Sequence, residues 1–364
     1  MEESRFAFIV HPEDRWHWLR IRRHLQEEKL KSHSAIVSQP TLDYSEPFHI
    51  ITLPFLSNGK AAVCDVILCP LLPGEMVADE AAAVSKILKS AEIARMRGAR
   101  LIGLGGFTSI VGNGGLDVAR QVALPVTSGN TYTASSVVNA IIMASELMNI
   151  DLGKSCIAII GATGDIGSSC SKSLAELFGE MILVARNDQR LEELAQLLRS
   201  KCSRVSIEKR ASKAARIADV VLTVTSSITT LIEASDFKRN SIVCDVSYPA
   251  NIAKEIGTLR PDILVFEGGI VTSERFISQL EPAVLFWGFN PRGGMHACFV
   301  EALLLTLEGK FSTYSIGRGD ITLEKMREMT DLGNKHNFRP IFSWDGRIMK
   351  RAFGHVPVSK PYST

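Results

Sequence analysis

The sequence predicts an α/β protein of two bodies, one of them a doubly wound parallel sheet. The first observation is a short isoleucine-rich apolar run at 156–160, which suits a strand buried on both faces of such a sheet. The second is a set of glycines at three-residue spacing behind it, Gly161, Gly164 and Gly167, before a helical pattern and another apolar run at 181–185. The third is a further alternation of apolar runs with helical or turn segments, at 204–207, 219–225, 241–246 and 263–266. Together they predict a Rossmann-type sheet in the second half of the chain.

The length of 364 residues allows two compact domains and a large core. We predict a smaller N-terminal α/β domain that binds the substrate, and C-terminal helices that pack back on it. The predicted boundaries are 1–130 for the N-terminal domain, 131–152 for a connecting helix, 153–271 for the Rossmann domain, and 272–364 for the C-terminal helical segment with its tail.

The amino-acid composition argues against several classes of protein: nucleic-acid-binding, membrane-spanning, secreted and metal-binding. A hydrophobic content of 46% and a net charge of +2 are typical of a globular protein and give no case for nucleic-acid binding. No apolar stretch approaches the length of a membrane span, and the N-terminus lacks the pattern of a secretion signal, so we expect a cytoplasmic location. The seven cysteines are scattered without metal-ligand spacing, which indicates thiols in a reducing compartment and no metal site.

The glycine segment at 161–167 predicts a dinucleotide site. Glycine permits a tight turn and close approach of backbone N–H groups to a diphosphate, and the start of the following helix adds unpaired donors and the positive end of its dipole. The alternative interpretation is a merely tight strand-to-helix turn. Ser226, Gly268 and Gly269 follow later strands, where the chain should border the nicotinamide, although ordinary turn residues fit there too.

The residues after the second strand favour NADPH over NADH. Where NAD enzymes place a carboxylate for the ribose 2′-hydroxyl, this chain has Arg186, Asn187 and Arg190, and two cations suit a 2′-phosphate. Solvated residues at a helix start are the alternative. The predicted cofactor contacts are Gly161, Thr163, Gly164, Asp165, Ile166, Gly167, Arg186, Asn187, Arg190, Ser226, Gly268 and Gly269.

The N-terminal body begins with a predicted strand at 6–10 and a basic amphipathic helix at 15–31. That helix could receive an acidic partner such as a carrier protein, touch a membrane surface peripherally, or simply be solvated. A hairpin is predicted from strands at 48–55 and 61–68, and one helix at 75–97.

A glycine-rich loop at 105–115 follows a predicted strand at 99–104. It is too rich in glycine for regular structure and lies where ligands commonly approach, or it is a flexible connection. Residues 128–131 offer capping groups before a helix at 132–148. The candidate substrate contacts are Gly105, Gly106, Phe107, Thr108, Ser109, Asn130 and Thr131.

The C-terminal segment contains a predicted helix at 295–307 that carries Cys298, then a helix at 322–336 and an irregular tail after Pro340. Topology would place the first of these helices beside the cleft between the two bodies. On residue type alone, Cys298 between Ala297 and Phe299 looks like a core packing residue.

Six segments resemble the long-chain acyl-[acyl-carrier-protein] reductases of cyanobacteria, collinearly from about Leu72 to Pro340, while the first 60 or so residues match poorly. The matching segments are LGGFTSI (104–110), TSGNTYTA (127–134), IIGATGDIGS (159–168), ARNDQRLEEL (185–194), ACFVEALLLTLEG (297–309) and IGRGDITLEKM (316–326). The resemblance implies NADPH-dependent reduction of a fatty acyl thioester, carried by acyl carrier protein or coenzyme A, to a free aldehyde. It also implies that Cys298 is the nucleophile that holds the acyl group.

If so, Cys298 would accept the acyl group by thioester exchange before hydride delivery. A place in the first helical turn would lower its pKa. His296 would make a poor base partner if both residues were helical, and the oxyanion donors are sought in the helix start or at Gly105 and Gly106. Two alternatives stay open: an NADP-dependent dehydrogenase of a small hydroxy or amino acid with a layout like that of shikimate dehydrogenases, and a non-catalytic NADPH-binding module.

Overall fold

The computed structural model describes residues 4–31, 45–225, 232–247, 252, 256–273, 276, 294–344 and 347–348. The strands are β1 (Ser4–Val10), β2 (Phe48–Ser57), β3 (Lys60–Leu68), β4 (Ile102–Leu104), β5 (Val126–Thr127), β6 (Cys156–Ile160), β7 (Glu180–Val184), β8 (Arg204–Ile207), β9 (Val220–Thr223), β10 (Ile242–Asp245), β11 (Leu264–Glu267), β12 (Ile270–Thr272), β13 (Met295–His296), β14 (Arg339–Pro340), β15 (Ser343–Trp344) and β16 (Arg347–Ile348). The α-helices are α1 (Arg15–Lys31), α2 (Pro73–Ala78), α3 (Glu80–Met96), α4 (Val111–Gly114), α5 (Leu116–Ala119), α6 (Asn130–Leu147), α7 (Asp165–Leu174), α8 (Asp188–Leu198), α9 (Ala211–Ile217), α10 (Ile256–Leu259), α11 (Ala297–Leu307) and α12 (Leu323–Lys335).

The first sheet has the order β2-β3-β1-β4-β5 and is parallel except for the β2–β3 hairpin. Asn58 and Gly59 turn this predicted hairpin, both with positive φ, which matches the right-handed twist of the two strands. The helix predicted at 75–97 is divided into α2 and α3, because the Asp79 carboxylate accepts the N–H of Ala82 and caps a new helix.

The second sheet has the order β16-β15-β11-β10-β9-β6-β7-β8, and β6 to β11 are parallel. These strands and α7 to α9 form the doubly wound architecture that the alternating apolar runs predict. The tail after Pro340 is not wholly irregular as predicted: β15 pairs antiparallel with β11 and adds an edge to this sheet.

Two helices connect the sheets. α11 packs on β1, β3 and β4, where the Phe299 ring meets Phe6 and Phe8 with centroids 5.8 and 5.1 Å apart. α6 packs on α7, α11 and α12 and contributes side chains to the core below the second sheet. The C-terminal helices therefore do pack back on the first body. Within the described residues, no helix is both long enough and apolar enough to cross a bilayer.

Glu308, at the C-cap of α11, ties this helix to its neighbours. It accepts hydrogen bonds from the ammonium groups of Lys60 and Lys335 and from His336 Nε2, each at 2.8 Å. His336 Nδ1 in turn accepts the hydroxyl of Ser57 at 2.8 Å. Burial opposes the charged form of Glu308, but these donors outweigh it and lower its pKa from 4.5 to about 2.

We predict that Glu308→Gln lowers the free energy of unfolding at pH 7 by about 2 kcal/mol, less than the full pKa shift implies because both lysines are partly solvated. Because the folded-state pKa of Glu308 lies below the unfolded value, its contribution is present above pH 4.5 and declines as the pH falls toward 2. Urea unfolding at pH 7 and pH 3 should show a difference between variant and wild type that shrinks at pH 3. Glu176→Gln, which removes an exposed pair with Lys201, is the control and should change nothing measurable; a similar loss for both variants would contradict the prediction.

Candidate active site

A cavity of about 540 Å³ lies between the two sheets. From the first body it is lined by Gly105 and Ser109, and from the second by Gly164 and Gly268. Cys298, at the start of α11, lines the same cavity. The structure thus brings the candidate nucleophile and the candidate dinucleotide loop to one cleft, although they are 131 positions or more apart in the chain.

Cys298 is held against a glycine. It is the second residue of α11, and the adjacent turn places Gly129 with φ +75° directly against its backbone. A Cβ built on Gly129 would lie 2.2 Å from Cys298 Cα and 2.3 Å from Cys298 Cβ. Only glycine allows the start of α6 and the start of α11 to approach this closely.

The surroundings of the Cys298 thiol oppose its ionisation. Burial raises its pKa to about 12, and the charge of Glu301 adds to this effect, while the N–H groups of Phe299 and of Cys298 itself oppose it. The expectation that the helix start would lower the pKa of Cys298 is therefore wrong, since desolvation outweighs the N–H groups of the first helical turn.

Glu301 is the centre of a buried polar cluster beneath Cys298, with a side chain that is 0% exposed. It accepts the hydroxyls of Thr127 and of Ser315, the latter at 2.7 Å, and the N–H of Tyr132 at 2.6 Å. Burial raises the pKa of Glu301. The cluster fastens α11 to β5 and to the first turn of α6, and so fixes the turn at Gly129.

Three histidines line the cavity: His11, His17 and His296. His296 is the extended N-cap of α11, outside the helix, so the geometric objection to it as a base does not apply. His11 is neutral with a defined tautomer: burial lowers its pKa, Nδ1–H donates to Pro12 O at 2.8 Å, and Nε2 accepts the N–H of Phe107 at 2.9 Å.

The candidate substrate contacts divide into two groups. The cavity is lined by Gly105, Gly106, Ser109 and Asn130. The other three are buried, and their polar groups bond within the protein: Phe107, Thr108 and Thr131. The segment at 105–115 is also more regular than predicted, because it forms a 3₁₀ turn at 106–109 and the single turn α4, which contains left-handed Gly112 and Asn113.

Backbone donors near Cys298 are largely engaged. Gly105 N–H donates to Ile9 O at 2.9 Å, and Ala297 N–H donates to Gly269 O at 2.8 Å. Neither can serve an oxyanion without rearrangement. Asn130, directly after Gly129, lines the cavity and carries a side-chain amide that can donate a hydrogen bond.

The glycine segment fits a dinucleotide. Gly161 has φ +93°, and a Cβ there would lie 2.2 Å from Val224 O; one on Gly167 would lie 2.3 Å from Gly161 O. Gly164, by contrast, is exposed and borders the cavity with Asp165, Ile166 and Gly167. The first N–H groups of α7 lack partners within the helix, so the backbone at this point forms a cradle for a diphosphate. Thr163 is half-buried in the same turn.

Arg186 and Arg190 are exposed at the end of β7, and Asn187 caps α8 by accepting the N–H of Arg190 at 3.0 Å. In the parallel register Ile160 lies opposite Val184, so the arginines follow the strand next to the glycine turn. Gly268 and Gly269 line the cavity, whereas Ser226 lies outside the described residues.

Sequence reasoning missed several polar residues of this site, among them His11, Asp245, Glu301 and Arg318. Asp245 accepts the Thr223 hydroxyl at 2.5 Å and the N–H groups of Ser247 and Ile252 at 3.0 Å, which shapes the loop after β10. Glu301 did carry a signal, as a single acid in the apolar run ACFVEALLL.

The chain is similar to one protein family, to individual proteins of known sequence and to solved structures. The protein family described as "Shikimate / quinate 5-dehydrogenase" matches residues 143–266 of this chain. A long-chain acyl-[acyl-carrier-protein] reductase of Synechococcus elongatus is 33% identical over 275 residues, which cover 71% of this chain and 76% of that protein. The aminotransferase PigE of a Serratia species is 27% identical over 324 residues, covering 83% of this chain and 37% of PigE.

Among solved structures, ligand-free 5-ketofructose reductase of a Gluconobacter species has a TM-score of 0.37 at 13% identity, covering 85% of this chain and 100% of that chain. Glutamyl-tRNA reductase of Methanopyrus kandleri has a TM-score of 0.31 at 17% identity, covering 53% and 48% of the two chains.

Proposed function

Because the chain belongs to the long-chain acyl-[acyl-carrier-protein] reductase family, we propose that it reduces a fatty acyl thioester to the aldehyde with NADPH through an acyl group on Cys298. The observation that carries this proposal is that Cys298 and the glycine turn before α7 line the same cavity. An oxidoreductase needs both the acyl carbon and the hydride donor in that space.

Cys298 sulfur forms a bond to the acyl carbon and the donor thiol leaves, taking up the proton that Cys298 releases. The glycine turn would hold NADPH, which when bound would supply the hydride for the acyl carbon. The resulting hemithioacetal on Cys298 collapses with cleavage of its C–S bond, releasing the aldehyde and returning the thiol after protonation. His296 lines the cavity and offers an imidazole for proton transfer at the sulfur. Asn130 offers an amide to the oxyanion.

The Arg186 and Arg190 pair supports NADPH as the cofactor. Both side chains are exposed beside the glycine turn, and neither forms an ion pair with another residue in the described part of the chain. Two available guanidinium groups match a 2′-phosphate better than a 2′-hydroxyl.

The exposed face of α1 supports a carrier protein as the acyl donor. Trp16 is 75% exposed and Leu19 48% exposed, one turn apart, and exposed Arg15 and Arg20 flank them. Carrier proteins are acidic, and a cationic surface with an apolar centre complements them. His17 of the same helix lines the cavity, so a donor bound here would be close to the entrance.

The test is aldehyde formation by the purified chain from a long-chain acyl carrier protein and NADPH. We expect one aldehyde for each NADPH oxidised, and a lower KM for the carrier-protein donor than for the acyl-CoA of the same chain length. Reversible NADP reduction by small hydroxy or amino acids without aldehyde formation from either thioester would identify the alternative dehydrogenase. NADPH binding without turnover of any of these substrates would show a binding module.

A further inference from the structure

The loop at 315–321 is anchored at both ends across the cavity. At its start, the Ser315 hydroxyl lies 2.7 Å from Glu301 Oε1 and 2.5 Å from Thr131 Oγ1. At its end, the carbonyl of Ile321 accepts the hydroxyl of Ser169 on α7 at 3.2 Å. The loop therefore joins the buried cluster under Cys298 to the helix that follows the glycine turn.

Arg318 is the tip of this loop. Gly317 and Gly319 flank it with φ +82° and +81°, a conformation in which the chain turns sharply on both sides of one residue. The nearby acid, Asp320, is already engaged by Lys325 at 2.5 Å and by the N–H of Ile316 at 3.1 Å. Arg318 forms no ion pair within the part of the chain that the structure describes, is exposed, and lines the cavity together with Gly164.

A cation beside the start of α7 would strengthen binding of a diphosphate there, because a carboxylate lies at the same point. Asp165, in the first turn of α7, lines the cavity, and its charge repels an anion placed at the helix start. Burial raises the pKa of Asp165, and the guanidinium of Arg318 opposes this shift, which places the two groups within electrostatic range. Arg186 and Arg190 follow β7, at the position expected for the ribose end of the nucleotide.

We propose that Arg318 binds the diphosphate of the nicotinamide dinucleotide at the start of α7, leaving the electrostatic partnership with Asp165 as the cofactor enters. This inference rests on the proposed cofactor site. The guanidinium would offset one of the two negative charges of the diphosphate and would hold it by charge-assisted hydrogen bonds. Arg318 would thus serve affinity for both NADPH and NADH, whereas Arg186 would serve the choice between them.

The experiment is titration of NADPH and NADH by fluorescence of the reduced nicotinamide, with 2′-AMP as a competitor that carries the 2′-phosphate but no diphosphate. For Arg318→Ala we expect the Kd of both dinucleotides to rise about 10-fold or more, with an unchanged ratio between them and unchanged binding of 2′-AMP. Arg318→Lys should recover part of the affinity. Arg186→Asp should instead weaken NADPH and 2′-AMP and lower the preference for NADPH over NADH.

Arg95→Ala, an exposed arginine of α3 paired with Glu92 at 2.7 Å, is the matched control and should bind as the wild type does. Equal NADPH affinity of Arg318→Ala and wild type would overturn this inference alone. Absence of NADPH and NADH binding by the wild type would overturn the cofactor assignment and this inference with it.

Discussion

Replacing Cys298 by alanine should abolish aldehyde formation, with a fall in kcat of at least about 10³-fold, while NADPH binding is retained. Without the sulfur there is no acceptor for the acyl group, and hydride transfer to a thioester on its donor has to proceed without a covalent intermediate. NADPH binding should persist because the glycine turn, Arg186 and Arg318 do not depend on the thiol. The loss should therefore appear in turnover and not in cofactor affinity.

Intact-mass measurement after incubation with the acyl donor in the absence of NADPH should show one acyl adduct on the wild type and none on the Cys298→Ala variant. Cys202→Ala is the matched control, since Cys202 is a buried cysteine of the second body that is not among the residues lining the cavity, with its thiol donating to Phe178 O at 3.2 Å. This control should keep both the adduct and the activity. Aldehyde production by Cys298→Ala near the wild-type rate would rule out the covalent route.

The parallel sheet could be predicted from sequence because its signals are local. The run at 156–160 and the glycines behind it determine a strand and a tight turn within a dozen residues, and β6 has the predicted bounds. The two-residue pairing of β15 with β11 has no such signal. It depends on where the chain returns after α12, which a residue pattern does not show.

Residue patterns identify candidate residues of the site better than they identify the protonation behaviour of those residues. Cys298 and the glycine turn were candidates from the sequence and line one cavity in the structure, but the raised pKa of Cys298 comes from desolvation by packing, which the sequence does not show. The same holds for His296, whose extended conformation places it beside the cavity and outside the helix.

Glu301 and Arg318 carried visible signals, a single acid in an apolar helix and an arginine between two glycines. Neither signal identifies a partner, because the groups that complete each arrangement come from distant segments. Thr127 and Ser315 reach Glu301 from β5 and from the loop after α11. Arg318 lines the same cavity as the start of α7, on a loop whose end, Ile321, is hydrogen-bonded to Ser169 of that helix.

Gly129→Ala should be the most disruptive substitution outside Cys298. The added Cβ would lie 2.2 Å from Cys298 Cα, and no side-chain rotation can move either atom away. Therefore α6 and α11 must separate, or the turn must change its φ of +75°. We expect a loss of stability of about 3 kcal/mol. In the folded fraction, a displaced Cys298 should lower aldehyde formation by about 10²-fold or more, since small misplacements of reacting groups are costly.

Gly309→Ala is the control that separates the steric contact of an added Cβ from the backbone strain of a positive φ. Gly309 follows the same helix with φ +68°, but a Cβ there meets nothing within 4 Å among the described residues. This control should lose about 1 kcal/mol of stability from strain alone and keep its rate of aldehyde formation. The measurements are urea unfolding of both variants and aldehyde formation by their soluble fractions. If Gly129→Ala and Gly309→Ala lose similar amounts of stability and of aldehyde formation, the packing of the turn on Cys298 does not position the nucleophile. If Gly129→Ala alone loses turnover while its NADPH affinity stays at the wild-type value, the turn acts on the thiol and not on the second body.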